Sequence, residues 1–302
     1  ICPSRGLGDV YKRQLLYSAT NQNIDIVFRQ GTRLIFCFIL MFIISLIDIN
    51  KLKNMSPYIY ILCLIMLMIT LFWGHDVKGA KRWIVIMGFS FQVSEIIKFF
   101  VPMTLAWYLS LSDDKDIDIK KLIICFTIIL APIFFIIKQP DLGTSLIILL
   151  CGLITIFLGG IKKKQMIILF GLFSIAIPIM WKFILLPYQK KRIMTLFDPT
   201  LDPLGSGYHI MQSKIAVGSG GFLGKGFLNG TQSQLEFLPE RGTDFIFAVF
   251  AEEFGFIGVL ILFLVYLIII ARCLQITFKA KSYFAKIFSG SISSILILLV
   301  VT

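Results

Sequence analysis

Charged residues are scarce in this sequence, and those present are mostly positive. The 302 residues include 17 Asp and Glu against 29 Lys and Arg, so only 15% of the chain is charged and the net charge is +12. A typical soluble domain is about 25% charged and about 45–50% apolar, whereas this chain is 57% hydrophobic. A soluble enzyme of this composition would expose large apolar patches, and disordered chains are poor in apolar residues. The composition therefore predicts a polytopic membrane protein.

Residues that bind metals or form disulfides are also few. The chain has two histidines, far apart, and six scattered cysteines without a C-x-x-C pair, so neither a zinc site nor a disulfide framework is implied. The basic residues fall in short clusters between apolar runs rather than on one face of a soluble module. This pattern follows the positive-inside rule and argues against nucleic acid as a partner.

Long apolar runs fill most of the chain, and runs of about 17–25 residues suit membrane-spanning helices. Eight are present, at 33–49, 57–73, 91–110, 122–138, 143–160, 165–187, 245–271 and 287–302. The last stops in mid-run, so we expect the chain to be truncated there. Residues 1–14 lack the apolar core of a signal peptide and are interpreted as a non-native tail, with a short cytoplasmic tail as the alternative. Residues 15–302 are predicted to form a single all-α membrane domain.

Charge between the runs predicts an orientation. Basic clusters at 51–53, 115–121, 162–164 and 272–286 should be cytoplasmic. We then expect the exterior side to carry a loop at 74–90, a short connection at 139–143 and a long segment at 188–244. The last contains regularly spaced apolar residues and many glycines, which argues against a disordered linker. We interpret it as a reentrant or surface-lying extracytoplasmic loop.

Ionisable residues at the membrane boundary are candidates for function, because charge is costly there. Glu95 and Lys98 are three residues apart and share a helix face, either as a structural pair or as a substrate-lining one. Asp141 follows Pro140 and suits either a helix cap or a site. Asp244 stands where the long loop meets an apolar helix, and is either a cap or a general base.

Basic residues on the predicted exterior side form a further set that would suit pyrophosphate, although a solvated surface explains them equally well. These are Arg29, Arg82, Lys214, Lys225 and Arg241. The residues alone fit both a transporter and a membrane-embedded transferase.

Five motifs narrow the choice. They are GAKRW at 79–83, FQVSEIIK at 91–98, QPDLGTS at 139–145, DPLGSGYHIMQSKIAVGSGGFLGKG at 202–226 and GTQSQLEFLPERGTDFIFAVFAEEFG at 230–255. In order and from about residue 15 onward, they resemble the SEDS family (shape, elongation, division and sporulation), and its rod-shape-determining branch more than its division branch.

The resemblance implies ten spanning helices, of which this chain would hold about eight, being truncated at both ends. It implies a peptidoglycan glycosyltransferase in the bacterial cytoplasmic (inner) membrane that polymerises lipid II on the extracytoplasmic face. The implied partners are a class B penicillin-binding protein and the elongation proteins MreB, MreC and MreD.

The resemblance also assigns residues. The essential aspartate of the family falls on Asp244, as a general base for an inverting transfer. The residues that would bind substrate are Glu95, Lys98, Asp141, Arg29, Arg82, Gln212, Lys214, Glu240 and Arg241. The charge of the leaving pyrophosphate would be balanced by the basic residues or by a divalent cation (Mg²⁺ or Mn²⁺) for which no protein site is assigned. Val93 and Gly242 replace a proline and a histidine that are usual in the family.

Two alternatives remain beside the polymerase. A flippase or transporter of the lipid-linked precursor would use the same charges, and inverted repeats would favour it, although none is visible. A non-catalytic activator of a penicillin-binding protein would not need Asp244.

Overall fold

Helices dominate the computed structural model, which describes residues 24–77, 80–86, 89–112, 117–203, 205–231 and 245–301. The first half contains α1 (Ile24–Ser45), α2 (Ile49–Trp73), β1 (His75–Val77), β2 (Ala80–Ile86), β3 (Phe89–Gln92), α3 (Val93–Leu109) and α4 (Ile119–Lys138). The second half contains α5 (Leu142–Leu158), α6 (Lys163–Ile179), a π-helical turn (Met180–Ile184), α7 (Pro187–Phe197), a 3₁₀ turn (Pro199–Leu201), α8 (Ser206–Ser219), α9 (Ile246–Lys279) and α10 (Tyr283–Val301). The all-α prediction is confirmed, with one small sheet added.

Each of the eight predicted apolar runs has a helix over most of its length. Within the described ranges, five helices are long and apolar enough to cross a membrane: Ile49–Trp73, Ile119–Lys138, Lys163–Phe183, Ile246–Lys279 and Tyr283–Val300. Gly31–Ser45 and Leu142–Leu158 are shorter apolar helices. Some helices extend beyond the apolar run. For example, α2 begins with polar turns that carry Lys51 and Lys53. This pattern is that of a multi-pass membrane protein.

The segment at 74–90, expected as a loop, instead forms an antiparallel sheet in the order β1-β2-β3. Trp83 pairs with Gln92 across β2 and β3. Strand pairing satisfies the backbone polar groups of a connection that carries alternating apolar residues. The sheet leads directly into α3 and so fixes the start of that helix.

The chain divides into two compact units. The first unit comprises Ile1–Ser45 and Leu172–Val265, and the second comprises Leu46–Gly171 and Tyr266–Thr302. The interpretation of residues 1–14 as a tail concerns residues outside the described ranges. The assignment of residues 15–302 to one membrane domain stays a prediction.

The second unit has a core shared by α2, α3, α4, α5 and α10. Fully buried side chains include Leu67, Ile97, Ile129 and Ile148. Helices α4 and α5 approach closely at Gly152, where an added Cβ would lie 2.5 Å from Cγ1 of Ile129. Apolar side chains also cover much of the outer surface, as expected where a bundle meets lipid.

Side-chain hydrogen bonds show which connections of the second unit share an end. The Tyr283 hydroxyl donates to the Gly159 carbonyl over 2.8 Å, and Gln165 Nε2 donates to the Ile117 carbonyl over 2.7 Å. These bonds join three of the basic connections at one end, here called the basic end. The sheet and the 139–141 connection meet at the other, here called the Arg82 end. These contacts agree with the predicted grouping of the connections at 115–121, 162–164 and 272–286, and with that of the segments at 74–90 and 139–143. The placing of the long segment 188–244 and the side of the membrane on which each group lies stay predictions.

Candidate functional site

Arg82 organises the end of the second unit that carries the sheet. From β2 its Nε donates to the Gln139 carbonyl over 2.9 Å, and its Nη2 donates to the Pro140 carbonyl over 2.8 Å. Its Nη1 lies 3.9 Å from Oδ2 of Asp141. The guanidinium therefore fastens the sheet to the connection between α4 and α5, and keeps part of its cationic surface open at this end.

Asp141 is the helix cap that the sequence offered as one of two alternatives, and it also lies beside a cation, while its role in substrate binding stays a prediction. Its Oδ1 accepts from the Thr144 amide over 3.3 Å, which caps α5. Its Oδ2 faces Arg82 and accepts from Gln92 Nε2 over 3.3 Å. The carboxylate thus joins the start of α5 to both β2 and the end of β3.

Glu95 and Lys98 form the predicted pair on the first turns of α3, with Lys98 Nζ donating to Glu95 Oε2. The Lys98 side chain is only 6% exposed, whereas the Glu95 side chain is 52% exposed. The cation is enclosed among helices and its charge is balanced locally. The carboxylate remains available to a ligand.

Val93, one of the two departures from the family pattern, occupies the first position of α3. Proline is favoured at this position, since the first helical N–H needs no partner within the helix. Valine fits the same backbone and is buried, with 2% exposure. The substitution therefore leaves the helix start intact.

The first unit contains a second polar cluster, built on a broken helix. Helix α9 is interrupted at Gly255, whose φ is 65° and ψ is −166°. A break exposes backbone groups that must find partners away from water. The glycine-rich loop after α8, residues 220–226, provides them.

Four backbone hydrogen bonds attach this glycine loop to the break. On one side, the Lys225 and Gly226 amides donate to the carbonyls of Glu252 and Glu253, each over 3.0 Å. On the other side, Phe256 donates to the Gly221 carbonyl over 2.9 Å, and Ile257 donates to the Phe222 carbonyl over 3.2 Å.

Glycine is required for this contact. An added Cβ on Gly220 would lie 2.2 Å from the Ala251 carbonyl oxygen, and one on Gly224 would lie 2.1 Å from that of Glu253. Gly224 also has a φ of +78°, which side chains with a Cβ disfavour. The loop and the broken helix therefore touch backbone to backbone.

A Lys–Glu pair lies beside this contact. Lys225 Nζ is 2.8 Å from Oε1 of Glu252, whose side chain is 0% exposed. The same ammonium donates to the hydroxyls of Ser219 and Thr231 over 2.9 and 2.7 Å, and Thr231 donates to Glu252 over 3.2 Å. Lys225, considered above as one of the cations for pyrophosphate, is instead held by this internal network.

The remaining predicted residues are less fully described. Gln212 is half-buried and Lys214 is exposed, both on α8. Arg29 lies on α1, and its side chain is outside the described part of the structure. Glu240, Arg241 and Asp244, together with Gly242, lie in 232–244, also outside the described residues. The role of Asp244 as general base stays a prediction.

His209 is a residue of interest that the sequence reasoning passed over. Its ring centroid lies 6.3 Å from that of Phe245, the residue after Asp244 in the chain. Its Nδ1 is buried and has no hydrogen-bond partner among the described residues. The signal in the sequence is its place in a long polar motif, GSGYHIMQS, within an otherwise apolar chain.

No group of three or more His, Cys, Asp or Glu side chains is placed to hold a metal ion within the described ranges. Arg82 and Lys98 are the cations that the structure places beside carboxylates at the Arg82 end. A divalent cation for the leaving group stays a prediction.

Known proteins resemble the chain over nearly its whole length. A profile of the "cell cycle protein" family of FtsW, RodA and SpoVE matches residues 9–302. The peptidoglycan glycosyltransferase MrdB of Escherichia coli K12 is 42% identical over 287 residues, which cover 95% of this chain and 77% of that protein. A probable peptidoglycan glycosyltransferase FtsW of Wigglesworthia glossinidia brevipalpis is 38% identical, covering 84% of this chain and 67% of that one.

Solved structures agree on the fold. One chain of a solved structure of a peptidoglycan synthase complex superimposes with a TM-score of 0.78 at 24% identity. The match covers 99% of this chain and 86% of that one. The rod shape determining protein RodA of Thermus thermophilus superimposes with a TM-score of 0.69 at 21% identity, covering 98% and 80%. The resemblance inferred from the five motifs is confirmed, and the chain belongs to the SEDS family.

Proposed function

We propose that this chain is a peptidoglycan glycosyltransferase that polymerises lipid II into β-1,4-linked glycan strands during cell elongation. One observation carries the proposal: an apolar bundle ends in a cluster of Arg82, Gln92 and Asp141, next to the Glu95–Lys98 pair. The 42% identity to a relative named as a peptidoglycan glycosyltransferase supports the same activity. A lipid-linked sugar needs such a boundary, where its tail stays in the bilayer and its headgroup meets polar residues.

The reaction transfers a glycan from one lipid carrier to a second lipid-linked disaccharide. The 4-hydroxyl of the acceptor GlcNAc attacks C1 of the donor MurNAc. A C–O bond forms there while the bond from C1 to undecaprenyl pyrophosphate breaks with inversion. Asp244 takes the proton of the attacking hydroxyl, a step that contributes about 10²–10⁴-fold to the rate.

The described side chains would bind and orient the substrate. Arg82 offers a cation for a phosphate oxygen, and its two carbonyl contacts limit its motion. Glu95 offers a half-exposed carboxylate to sugar hydroxyl or amide donors. Gln212, Lys214 and the residues Arg29, Glu240 and Arg241 complete the proposed binding set. The basic members, or Mg²⁺ or Mn²⁺, would balance the charge of the departing pyrophosphate.

The same chemistry implies an orientation in the membrane and a set of partner proteins. The Arg82 end faces the extracytoplasmic side of the bacterial cytoplasmic membrane, and the basic end faces the cytoplasm. A class B penicillin-binding protein would cross-link the new strands, and MreB, MreC and MreD would place the complex along the cell.

The experiment that tests the proposal is polymerisation of labelled lipid II. The protein is purified with its class B penicillin-binding protein, whose transpeptidase is blocked. Wild type should give glycan ladders, and Asp244→Asn should lose at least about 10²-fold of the rate. Asp198→Asn is the matched control, since Asp198 is an exposed carboxylate of the same long segment.

Three outcomes would overturn parts of the proposal. Wild-type ladders from Asp244→Asn would remove the assigned base and favour a different catalytic residue. Absence of ladders from every variant, with lipid II crossing the bilayer of proteoliposomes, would identify a flippase. Stimulation of the partner by Asp244→Asn without any ladder from wild type would identify a non-catalytic activator.

A further inference from the structure

A cavity of about 530 Å³ opens at the basic end of the second unit, and its lining residues lie outside the five sequence motifs. It lies between the last turns of α9 and the first turns of α10, and Ile49 at the start of α2 closes one side. None of its lining residues belongs to the proposed catalytic site.

One face of α9 supplies most of the polar groups. Arg272, Gln275, Ile276 and Lys279 are spaced at i, i+3, i+4 and i+7, so they follow one another along that face. Arg272 Nη1 donates to Gln275 Oε1 over 2.9 Å, which directs the guanidinium along the helix. Two cations therefore flank the cavity about two helical turns apart.

The charge around the cavity is mostly positive. Residues 254–302 contain no Asp or Glu, while Arg272, Lys279, Lys281 and Lys286 give this stretch a charge of +4. The nearest acidic residue along α2 is Asp48, which caps that helix by accepting from the Asn50 amide. The lining residues include no carboxylate, so the cavity is complementary to an anion.

Apolar surface continues from the cavity onto the outside of the bundle. Ile276 is 61% exposed and borders the opening, and Phe278 on the same helix is 79% exposed. Phe288 of α10 forms part of the wall. A small soluble anion would leave this surface uncovered, whereas acyl chains would cover it.

We propose that this cavity binds the phosphate headgroup of an anionic phospholipid, with the acyl chains lying along α9 and α10. Arg272 and Lys279 bind the phosphate. Gln275 offers its amide to the glycerol backbone or to the polar group esterified to the phosphate. Basic cavities between helices at the cytoplasmic surface are suited to anionic lipids for this electrostatic reason. The proposal depends on the orientation predicted above but not on the enzymatic activity.

The test measures lipid binding directly. Full-chain protein in detergent is titrated with phosphatidylglycerol or with phosphatidylcholine, and bound lipid is counted by native mass spectrometry. Wild type should retain phosphatidylglycerol preferentially. Arg272→Gln with Lys279→Gln should weaken its retention by about thirtyfold, since each of the two cations near an anionic surface contributes about fivefold.

The matched control removes two exposed cations from another connection at the same end. Lys163→Gln with Lys164→Gln should leave phosphatidylglycerol retention close to wild type. Equal weakening by both double variants would show a general charge effect and overturn the proposal. Displacement of the lipid by millimolar glycerol phosphate would also overturn it, in favour of a site for soluble phosphate.

A second variant guards against misfolding. Gln275→Glu places a carboxylate beside Arg272 on an exposed helix face, where folding should be unaffected. It should reduce retention of phosphatidylglycerol without changing the melting temperature. Unchanged retention in this variant would contradict a headgroup site at the cavity.

Discussion

Two Lys–Glu pairs in this protein have the same chemistry but opposite construction. Lys98 and Glu95 are neighbours on one helix, with the cation buried and the carboxylate 52% exposed. Lys225 and Glu252 are 27 residues apart in sequence, with the carboxylate fully buried and the ammonium 26% exposed. Each pair therefore offers a different charge to its surroundings.

The difference separates the pair proposed to bind substrate from a pair that joins two segments of the fold. The exposed carboxylate of Glu95 keeps free acceptor capacity at the Arg82 end. The ammonium of Lys225 is occupied by Glu252, Ser219 and Thr231, so little of it is left for a ligand. A buried ion that loses its partner is far more costly than an exposed one, which makes the contrast measurable.

Breaking the buried pair should have the largest effect on stability. Lys225→Met removes the ammonium that Lys225 provides to the fully buried Glu252 carboxylate. We expect a loss of about 3 kcal/mol in the free energy of unfolding, near the low end for buried pairs because Lys225 is partly exposed. Denaturant titration in detergent measures this. The double variant Lys225→Met with Glu252→Leu should recover most of the loss, and no recovery would argue against the pair as its source.

Separating the glycine loop from the broken helix should come next. Gly224→Ala introduces a Cβ that would meet the Glu253 carbonyl oxygen and forces an unfavourable φ. The expected loss is about 2 kcal/mol, read from the same titration. Gly218→Ala is the control, since nothing lies within 4 Å of its added Cβ. Similar losses from both changes would refute backbone contact as the reason.

Breaking the local pair should affect stability least and activity more. Lys98→Met leaves Glu95 half-exposed, where water solvates it, so we expect a stability change within about 1 kcal/mol. The rate of lipid II polymerisation should fall at least about tenfold, because the pair is proposed to bind the substrate. A stability loss as large as that of Lys225→Met would remove the distinction drawn between the two pairs.

The exposed carboxylate of Asp198 should contribute least to stability among the charged groups compared. Hydrogen bonds from the Thr200 hydroxyl and amide lower the pKa of Asp198. Its stabilising effect is therefore present above the ordinary pKa of aspartate and is lost as the pH falls through the lowered value. Asp198→Asn should slightly flatten the acid side of the melting temperature against pH. A steeper acid dependence in the variant would contradict this sign.

Local patterns were the part of this structure that the sequence predicted. Apolar runs located the helices, because a spanning helix must be apolar over its length. The spacing of Glu95 and Lys98 placed them on one face, and the residues before α5 predicted the Asp141 cap. Each of these inferences needs only neighbours within one or two helical turns.

Contacts between distant segments were not predictable in the same way. Lys225 was assigned to the exterior cations because no local signal links it to Glu252. The sheet was read as a loop, although glycines at 79 and 88 flank a run of apolar residues that suits a strand. Arg82 was predicted as a cation that binds substrate. Its two carbonyl acceptors could not be predicted, because they depend on the packing of β2 against the α4–α5 connection.

The break at Gly255 has a consequence for biosynthesis. From Phe256 the chain carries no charged residue until Arg272. This stretch is therefore hydrophobic enough to be inserted into the membrane without help from other segments. Glu252 and Glu253 precede the break, and their backbone carbonyls accept hydrogen bonds from the glycine loop. The apolar part of α9 can therefore enter the bilayer early. The turn that carries Glu252 and Glu253 gains its backbone hydrogen bonds only when the glycine loop packs against it. We therefore expect membrane insertion of this stretch to come before closure of the contact between the glycine loop and α9.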